Sequence, residues 1–436
     1  MTPRTVWRGE THYAKSNIIE NPNPNEFAIR RFQLCSVKTI KPSWADAKTG
    51  YYDDVLMPVD TPDIAASISA ITVLPGATTG LRVFQTATQE PLVLDIADKS
   101  LPLERTFPFY SEVNSYDCLQ AFSIRGGLAP NRKGDDDQLQ FSITHHAVSL
   151  ARQFGIEPVK QSINWFADPM IPADEVITLM NNYKYDDLVF QGRIAKPIIF
   201  CGSWDFDASW QQKNPTVPYH PNATFLAEVN RRAPQGTMAW CADEPRLPGD
   251  DAGMPVPEAI KRVKHVLQHA PRLIPMITTG ENSLQELRAL ADKEKLPIRY
   301  CIVQNHDSPL LLPGAKGSYF SCMAQGCNDY DPSDASDKPP KKRTSFPVAV
   351  VEGCPITDFQ RAIKLAYENK ALFALYYKIT KRLKHCWLDG GIYNEGGNGD
   401  GTAMYIHPRT GLAIPSVRMM HWHIAQQEIE KQMLAG

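Results

Sequence analysis

From Phe107 onward, short apolar runs alternate with longer amphipathic segments, and this rhythm restricts the fold more than any other feature of the chain. Candidate strands are Phe107–Val113, Gln161–Phe166, Lys196–Trp204, Thr237–Asp243, Arg272–Thr279, Pro297–Asn305, Phe346–Glu352 and His385–Gly390. Helical patterns fill most gaps: Asp137–Phe154, Asp174–Tyr183, Pro221–Arg232, Pro257–His269, Ser283–Lys295 and Asp358–Lys381. Strands that alternate with helices build a parallel sheet, and eight such units are what a closed barrel requires. The alternation therefore predicts an α/β fold, a (β/α)8 barrel over residues 106–392.

The flanks read differently. Residues 1–105 carry β-prone runs such as Ile68–Leu74, Gly80–Phe84 and Pro91–Ile96 between turn-forming residues, which predicts a small β-rich domain. Residues 393–436 predict a hairpin with a strand at Ala403–His407, followed by a closing helix Ser416–Leu434. The stretch Asp307–Thr344, rich in Gly, Pro, Asp and Ser, reads as an extended loop above the barrel.

At 43% hydrophobic and 22% charged residues the chain is globular, and its net charge of -2 provides no footprint for nucleic acid. The one basic cluster, Lys338, Lys341, Lys342 and Arg343, reads as a solvated loop. No run approaches the roughly 18 apolar residues of a membrane span, and Met1–Arg8 lacks a secretory core. The expectation is a soluble cytoplasmic protein with no membrane partner, released by lysis or carried in a phage particle. Nine cysteines, scattered singly, predict reduced thiols.

The chemistry concentrates where the apolar run Thr237–Ala242 ends in Asp243-Glu244-Pro245. Neighbouring strand residues face opposite sides, so this pair shares one site only if the strand terminates or bulges there. Pro245 favours termination because it removes a ladder donor. On a barrel strand this is the carboxyl end, where barrel enzymes keep their active sites. Two carboxylates in one cleft resist joint ionisation, which raises the pKa of the less solvated group and fits it to act as an acid.

Aromatic side chains near strand ends, Tyr110, Trp165, Trp204, Trp210 and Trp387, provide faces for apolar ring contact, with Trp240 read as core. Polar candidates at strand ends are Glu112, Asn114, Asn164, Asp168, Asp205, Asp207, Asn305, His306 and Asp389, with Tyr376, Tyr377 and Tyr393 as further hydrogen-bonding groups. A metal site is the chemical competitor, but His145-His146, Cys322/Cys327 and His421/His423 each lack the second pair that structural zinc requires. No phosphate-binding glycine loop of the Walker or dinucleotide type is present, so no cofactor is expected.

Three pieces resemble family 123 of the glycoside hydrolases, a TIM-barrel group that includes β-N-acetylgalactosaminidases. They are Ala242–Pro245, the run Gly399–Tyr405 with Ile414–Arg418, and the order of a β-rich domain before the barrel. The resemblance covers roughly residues 90–436, with an N-terminal domain shorter than the group's β-sandwich. It implies a retaining hydrolase of β-linked N-acetylhexosamine, N-acetylgalactosamine foremost, with a glycan as partner. It also implies substrate-assisted catalysis: Asp243 holds the 2-acetamido group while Glu244 protonates the leaving oxygen and then activates water. Tyr110, Asn164, Trp165, Trp204, Asp205, Asn305, His306, Tyr377, Trp387 and Asp389 are the expected substrate-binding residues. The alternatives are a non-catalytic carbohydrate-binding or virion structural protein on the same scaffold, and a metal-dependent hydrolase using Asp243, Glu244 and His306.

Overall fold

The structure, a computed structural model, describes residues 29–39, 50–58, 82–86, 92–95, 107–113, 135–159, 164–192, 197–201, 219–243, 245, 254–279, 281–298, 300–303, 363–364, 367, 373–380, 404–406 and 412–435. Near the N-terminus, β1 (Ile29–Thr39) pairs antiparallel with β2 (Gly50–Pro58) on one edge. Its other edge is shared by β3 (Arg82–Thr86) and β4 (Leu92–Asp95). β3 and β4 overlap the predicted runs at Gly80 and Pro91, whereas Ile68–Leu74 lies outside the described residues.

The strands that follow are parallel. They are β5 (Phe109–Val113), β6 (Ile156–Val159), β7 (Ile198–Phe200), β8 (Met238–Asp243), β9 (Ile274–Thr279), β10 (Tyr300–Val303) and β11 (Ala374–Thr380). β7 to β10 pair in chain order, and β11-β5-β6 form a second ladder. The last of these strands thus lies on the first, in the register Ala374↔Phe109 to Thr380↔Val113, as in a sheet that curls back on itself. Among the described residues β6 and β7 are neighbours without a ladder between them.

Helices connect these strands, as α/β crossovers require: α1 (Asp135–Gln153), α2 (Asn164–Ala167), α3 (Ala173–Asn182), α4 (Tyr185–Val189), α5 (Ala223–Arg232), α6 (Val256–His269) and α7 (Glu281–Lys293). α6 shows why they form. Pro257 and Glu258 occupy its first turn, and Val256, Ala259, Ile260, Val263 and Val266 bury one stripe at helical spacing. α5 begins at Asn222, whose Oδ1 accepts from the backbone N–H of Thr224 and Phe225 at 2.9 and 3.3 Å.

β12 (Met404–Ile406) and β13 (Ala413–Pro415) form the expected hairpin, and α8 (Val417–Ala435) closes the chain. α8 is a core helix: Met419, Met420, Trp422, Ala425 and Ile429 are buried, and Trp422 meets Phe109 edge-on at 5.5 Å. Leu56 of β2 belongs to the same buried cluster, so the N-terminal sheet shares core with the parallel strands.

Two sequence expectations are corrected. The strand expected at Gln161–Phe166 is instead β6, five residues earlier, and Asn164–Ala167 is a helical turn. Pro158 masks the strand in sequence, while Phe166 is drawn into packing with Tyr183, Tyr185 and Phe225. The helix expected over Asp358–Lys381 ends before residue 374, because Leu375-Tyr-Tyr-Lys-Ile-Thr380 pairs with β5. β11 therefore takes the closing place expected of His385–Gly390, which lies outside the described residues, as does Phe346–Glu352.

The junction of α1 and β6 requires glycine. Gly155 has φ +76°, and a Cβ there would meet the Gln426 side-chain oxygen. Gln426 Nε2 donates to Phe107 O at 3.1 Å and to Gly155 O at 2.8 Å, tying α8 to the residues that lead into β5 and β6. Gly155→Ala is expected to lower stability by about 2–4 kcal/mol, from left-handed strain plus displaced hydrogen bonds. A urea midpoint unchanged from that of the native chain would contradict this.

Candidate active site at the carboxyl ends of the strands

β8 is irregular where its acids begin. Met276 of β9 opposes Trp240, but Ile277 opposes Ala242, so Cys241 is an extra residue in the ladder. A bulge of this kind changes which face the following side chains take. Trp240 packs on Phe200 at 5.0 Å, and the thiols of Cys201 and Cys241 lie towards Arg262 of the helix layer. Phe200 and Trp240 therefore face away from the helices. Simple alternation would turn Asp243 to the helix side. With Cys241 bulged, Asp243 pairs with Thr278, two positions after Met276, and returns to the face of Trp240. Asp243 is half-buried there.

Other polar groups occupy the same ends. The Thr278 hydroxyl is buried and has no hydrogen-bond partner among the described residues. Glu112 is fully buried one residue from the end of β5. Because Phe109 packs on α8, Tyr110 and Glu112 lie on the opposite face, and Tyr110 meets Phe373 edge-on at 5.3 Å. Thr380, paired with Val113, ends β11. These residues set a carboxylate and hydroxyl donors at strand ends, a combination suited to binding a polyhydroxylated ligand and moving protons.

The loops behind these ends are held by Asn222. Its Nδ2 donates to Asp168 O and Ile171 O, both at 3.0 Å, and its backbone N–H donates to Ala167 O at 2.8 Å. The segment after α2 is thereby joined to the start of α5. Asn222→Ala should cost about 2 kcal/mol, since it removes a helix cap and two further side-chain hydrogen bonds to part-buried carbonyls. Thermal unfolding compared with Asn222→Asp, which keeps the cap alone, separates the two contributions.

The thiols of Cys201 and Cys241 are not nucleophiles. Burial pushes Cys241 up to about 12 and raises Cys201 as well, so both remain protonated at neutral pH. Among the described residues no three His, Cys, Asp or Glu side chains are arranged to hold a metal ion. The paired histidines of the sequence fall on helices: His145 and His146 on α1, His421 and His423 on α8, where His423 Nε2 meets Gln427 Nε2 at 2.9 Å. No helix among the described residues is long and apolar enough to cross a membrane.

Of the residues expected to carry function, Asp243 stands at the end of β8. Tyr110 is on the face of Glu112 but committed to core packing. Asn164 and Trp165 open α2, and Tyr377 lies within β11. Glu244, Trp204, Asp205, Asn305, His306, Trp387 and Asp389 lie outside the described residues. Thr278 and Thr380 were missed by sequence reasoning. Both are threonines ending apolar runs, a signal shared with ordinary β-strands.

No protein-family model matches the chain, and no curated protein sequence matches it. Among solved structures it is similar to a family 123 glycoside hydrolase from Clostridium perfringens, studied for glycolipid glycan hydrolysis. The TM-score is 0.50 at 9% identity, over 94% of this chain and 76% of that one. It also aligns with a thermostable mutant of the xylanase Xyn10A from Cellvibrio japonicus (TM-score 0.41, 11% identity, 74% of this chain and 98% of that one). A GH10 endoxylanase retrieved from sugarcane soil metagenome aligns comparably (TM-score 0.40, 10% identity, 74% and 98%). The first likeness shows a shared fold; the two xylanase alignments carry no further weight.

Proposed function

We propose that the chain is a retaining glycoside hydrolase that cleaves β-linked N-acetylhexosamine, foremost N-acetylgalactosamine, in a glycan or polysaccharide. The observation that carries this is the β8 bulge, which brings Asp243 onto the face of Trp240 at the carboxyl end of a parallel strand. The shared fold with a glycoside hydrolase supports the same reading. In this proposal the acetamido oxygen of the substrate attacks the anomeric carbon as Glu244 gives its proton to the leaving oxygen. Asp243 orients the acetamido group and balances the positive charge of the oxazolinium-like intermediate. Water then attacks the anomeric carbon and returns a proton to Glu244. The catalytic unit spans residues 106–392, flanked by the β-rich residues 1–105 and the hairpin and helix of 393–436.

Aryl β-N-acetylgalactosaminides and aryl β-glucosides test this directly. Hydrolysis of the first but not the second is expected, because only the first has the internal nucleophile, and a chelator should leave the rate unchanged. Glu244→Gln should lower kcat/KM about 10²–10⁴-fold, the range for general acid–base catalysis, with an unaltered melting temperature. Equal turnover by native chain and variant, or no turnover of any N-acetylhexosaminide, would overturn the proposal.

A further inference from the structure

We propose that residues 219–222 are a pH-sensitive latch, closed while the packed imidazoles of His220 and His265 are neutral and released when they are protonated. The inference stands on packing between α6 and this segment and does not depend on the hydrolase reading.

α6 grips the segment residue by residue. Arg262 Nη2 donates to Tyr219 O at 3.3 Å, and its guanidinium lies 5.0 Å over the Tyr219 ring. His265 Nε2 donates to Pro221 O at 2.8 Å, since a carbonyl can only accept. The His220 ring lies on the His265 ring at 4.9 Å, tilted by 32°, and His265 meets His269 at 4.7 Å. Asn222, next in sequence, carries the grip onward to Ala167, Asp168 and Ile171 and caps α5. Four consecutive residues thus tie together the return limbs of the loops that leave β6 and β7.

The charges around the stack oppose protonation. Among the described residues His220 Nδ1 is buried without a hydrogen-bond partner, so none of them would accept a second ring proton there. His220 Nε2 is 3.9 Å from Glu258 Oε1, while the other Glu258 oxygen accepts from Lys261 Nζ at 3.0 Å. Among the described residues, His220 has Glu258 beside it together with His265, Lys261 and Arg262, and His265 has His269 and Arg262 beside it, all of these on α6 apart from His220. The packed helices α5 and α7 do not relieve this: Glu228 is taken by Arg231 and Arg232, and Glu294 by Lys264. Burial, and then neighbouring positive groups, hold His220 below the ordinary histidine range; burial does the same for His265, outweighing the hydrogen bond to Pro221 O, which favours the charged ring. A histidine lowered in the folded state leaves the latch fully closed above pH about 6.5 and weakens it as pH falls below that value.

Hydrogen exchange at pH 7.5 and 5.5, corrected for intrinsic rates, reads the latch at the amides of Asn222, Thr224, Phe225 and Leu226. In the native chain their protection should fall further at the lower pH than that of the β8 and β9 amides, which report global stability alone. His220→Gln/His265→Gln should abolish that difference. Unchanged protection in the native chain, or the same loss in the variant, would overturn the proposal. Should the double variant not fold, NMR titration of the native histidine rings decides: His220 and His265 midpoints at or above the ordinary value would overturn it equally.

Discussion

Arg262→Ala should lower the unfolding free energy by about 3–5 kcal/mol, the range seen when a buried charged group with several partners is deleted. Arg262 is 1% exposed, and its guanidinium donates to Cys241 O at 3.4 Å and Tyr219 O at 3.3 Å while covering the Tyr219 ring. Each carbonyl left unbonded in the interior costs about 1–3 kcal/mol, and the vacated volume adds a cavity cost. Arg262→Met refills most of the space but restores neither hydrogen bond, so it should recover part of the loss. Urea unfolding of the two variants tests the division. If Ala and Met are equally destabilising, packing contributes little; if both match the native chain, Arg262 does not hold α6 to the end of β8.

Arg262 also shows what the sequence could and could not reveal. The amphipathic stripe of α6 was legible because Val256, Ile260, Val263 and Val266 recur at helical spacing. An arginine within that pattern reads as solvated, and nothing local indicates that carbonyls of a bulged strand and a returning loop converge on it. β7, β8, β9 and β10 were legible as uninterrupted apolar runs between helical segments. β6 was hidden by Pro158, and β11 by the helical pattern that precedes it without a break. The first is decided by tertiary pairing to Tyr110 and Glu112, the second by pairing to the opposite edge of the same strand.

At the candidate site the sequence asked whether the strand terminates or bulges at Asp243 and Glu244 and took termination from Pro245, and β8 does end at Asp243. The structure places the irregularity earlier, at Cys241, where the ladder to β9 slips by one residue. That slip is invisible in sequence, since Ala239-Trp-Cys-Ala242 is apolar in every phase. Glu112 was legible as a strand-end acid, but its complete burial follows only from having strands on both sides.

Acid should destabilise the native chain well before its carboxylates titrate, and His421 is the main cause. Burial in α8 pushes it down to about 4 from the ordinary value near 6.5. The unfolded chain then takes up a proton as pH falls through about 6.5, whereas the folded chain stays neutral there until about 4. Stability is therefore full above pH about 6.5 and declines between the two values, by about 3 kcal/mol at 1.36 kcal/mol per unit. His220 and His265, lowered in the same direction, steepen the decline. Glu228 and Glu294 are held low by arginine and lysine partners, so their contribution is lost only at lower pH. At the alkaline end Cys201, Cys241 and Tyr185 are raised by burial, so the unfolded chain ionises first and stability falls again above pH about 9. His421→Gln keeps an amide in the same place but cannot titrate. Urea midpoints at pH 7.5, 5.5 and 4.5 should fall steeply in the native chain and much less in the variant. Parallel declines in the two would remove His421 from this account and leave the acid sensitivity to His220 and His265.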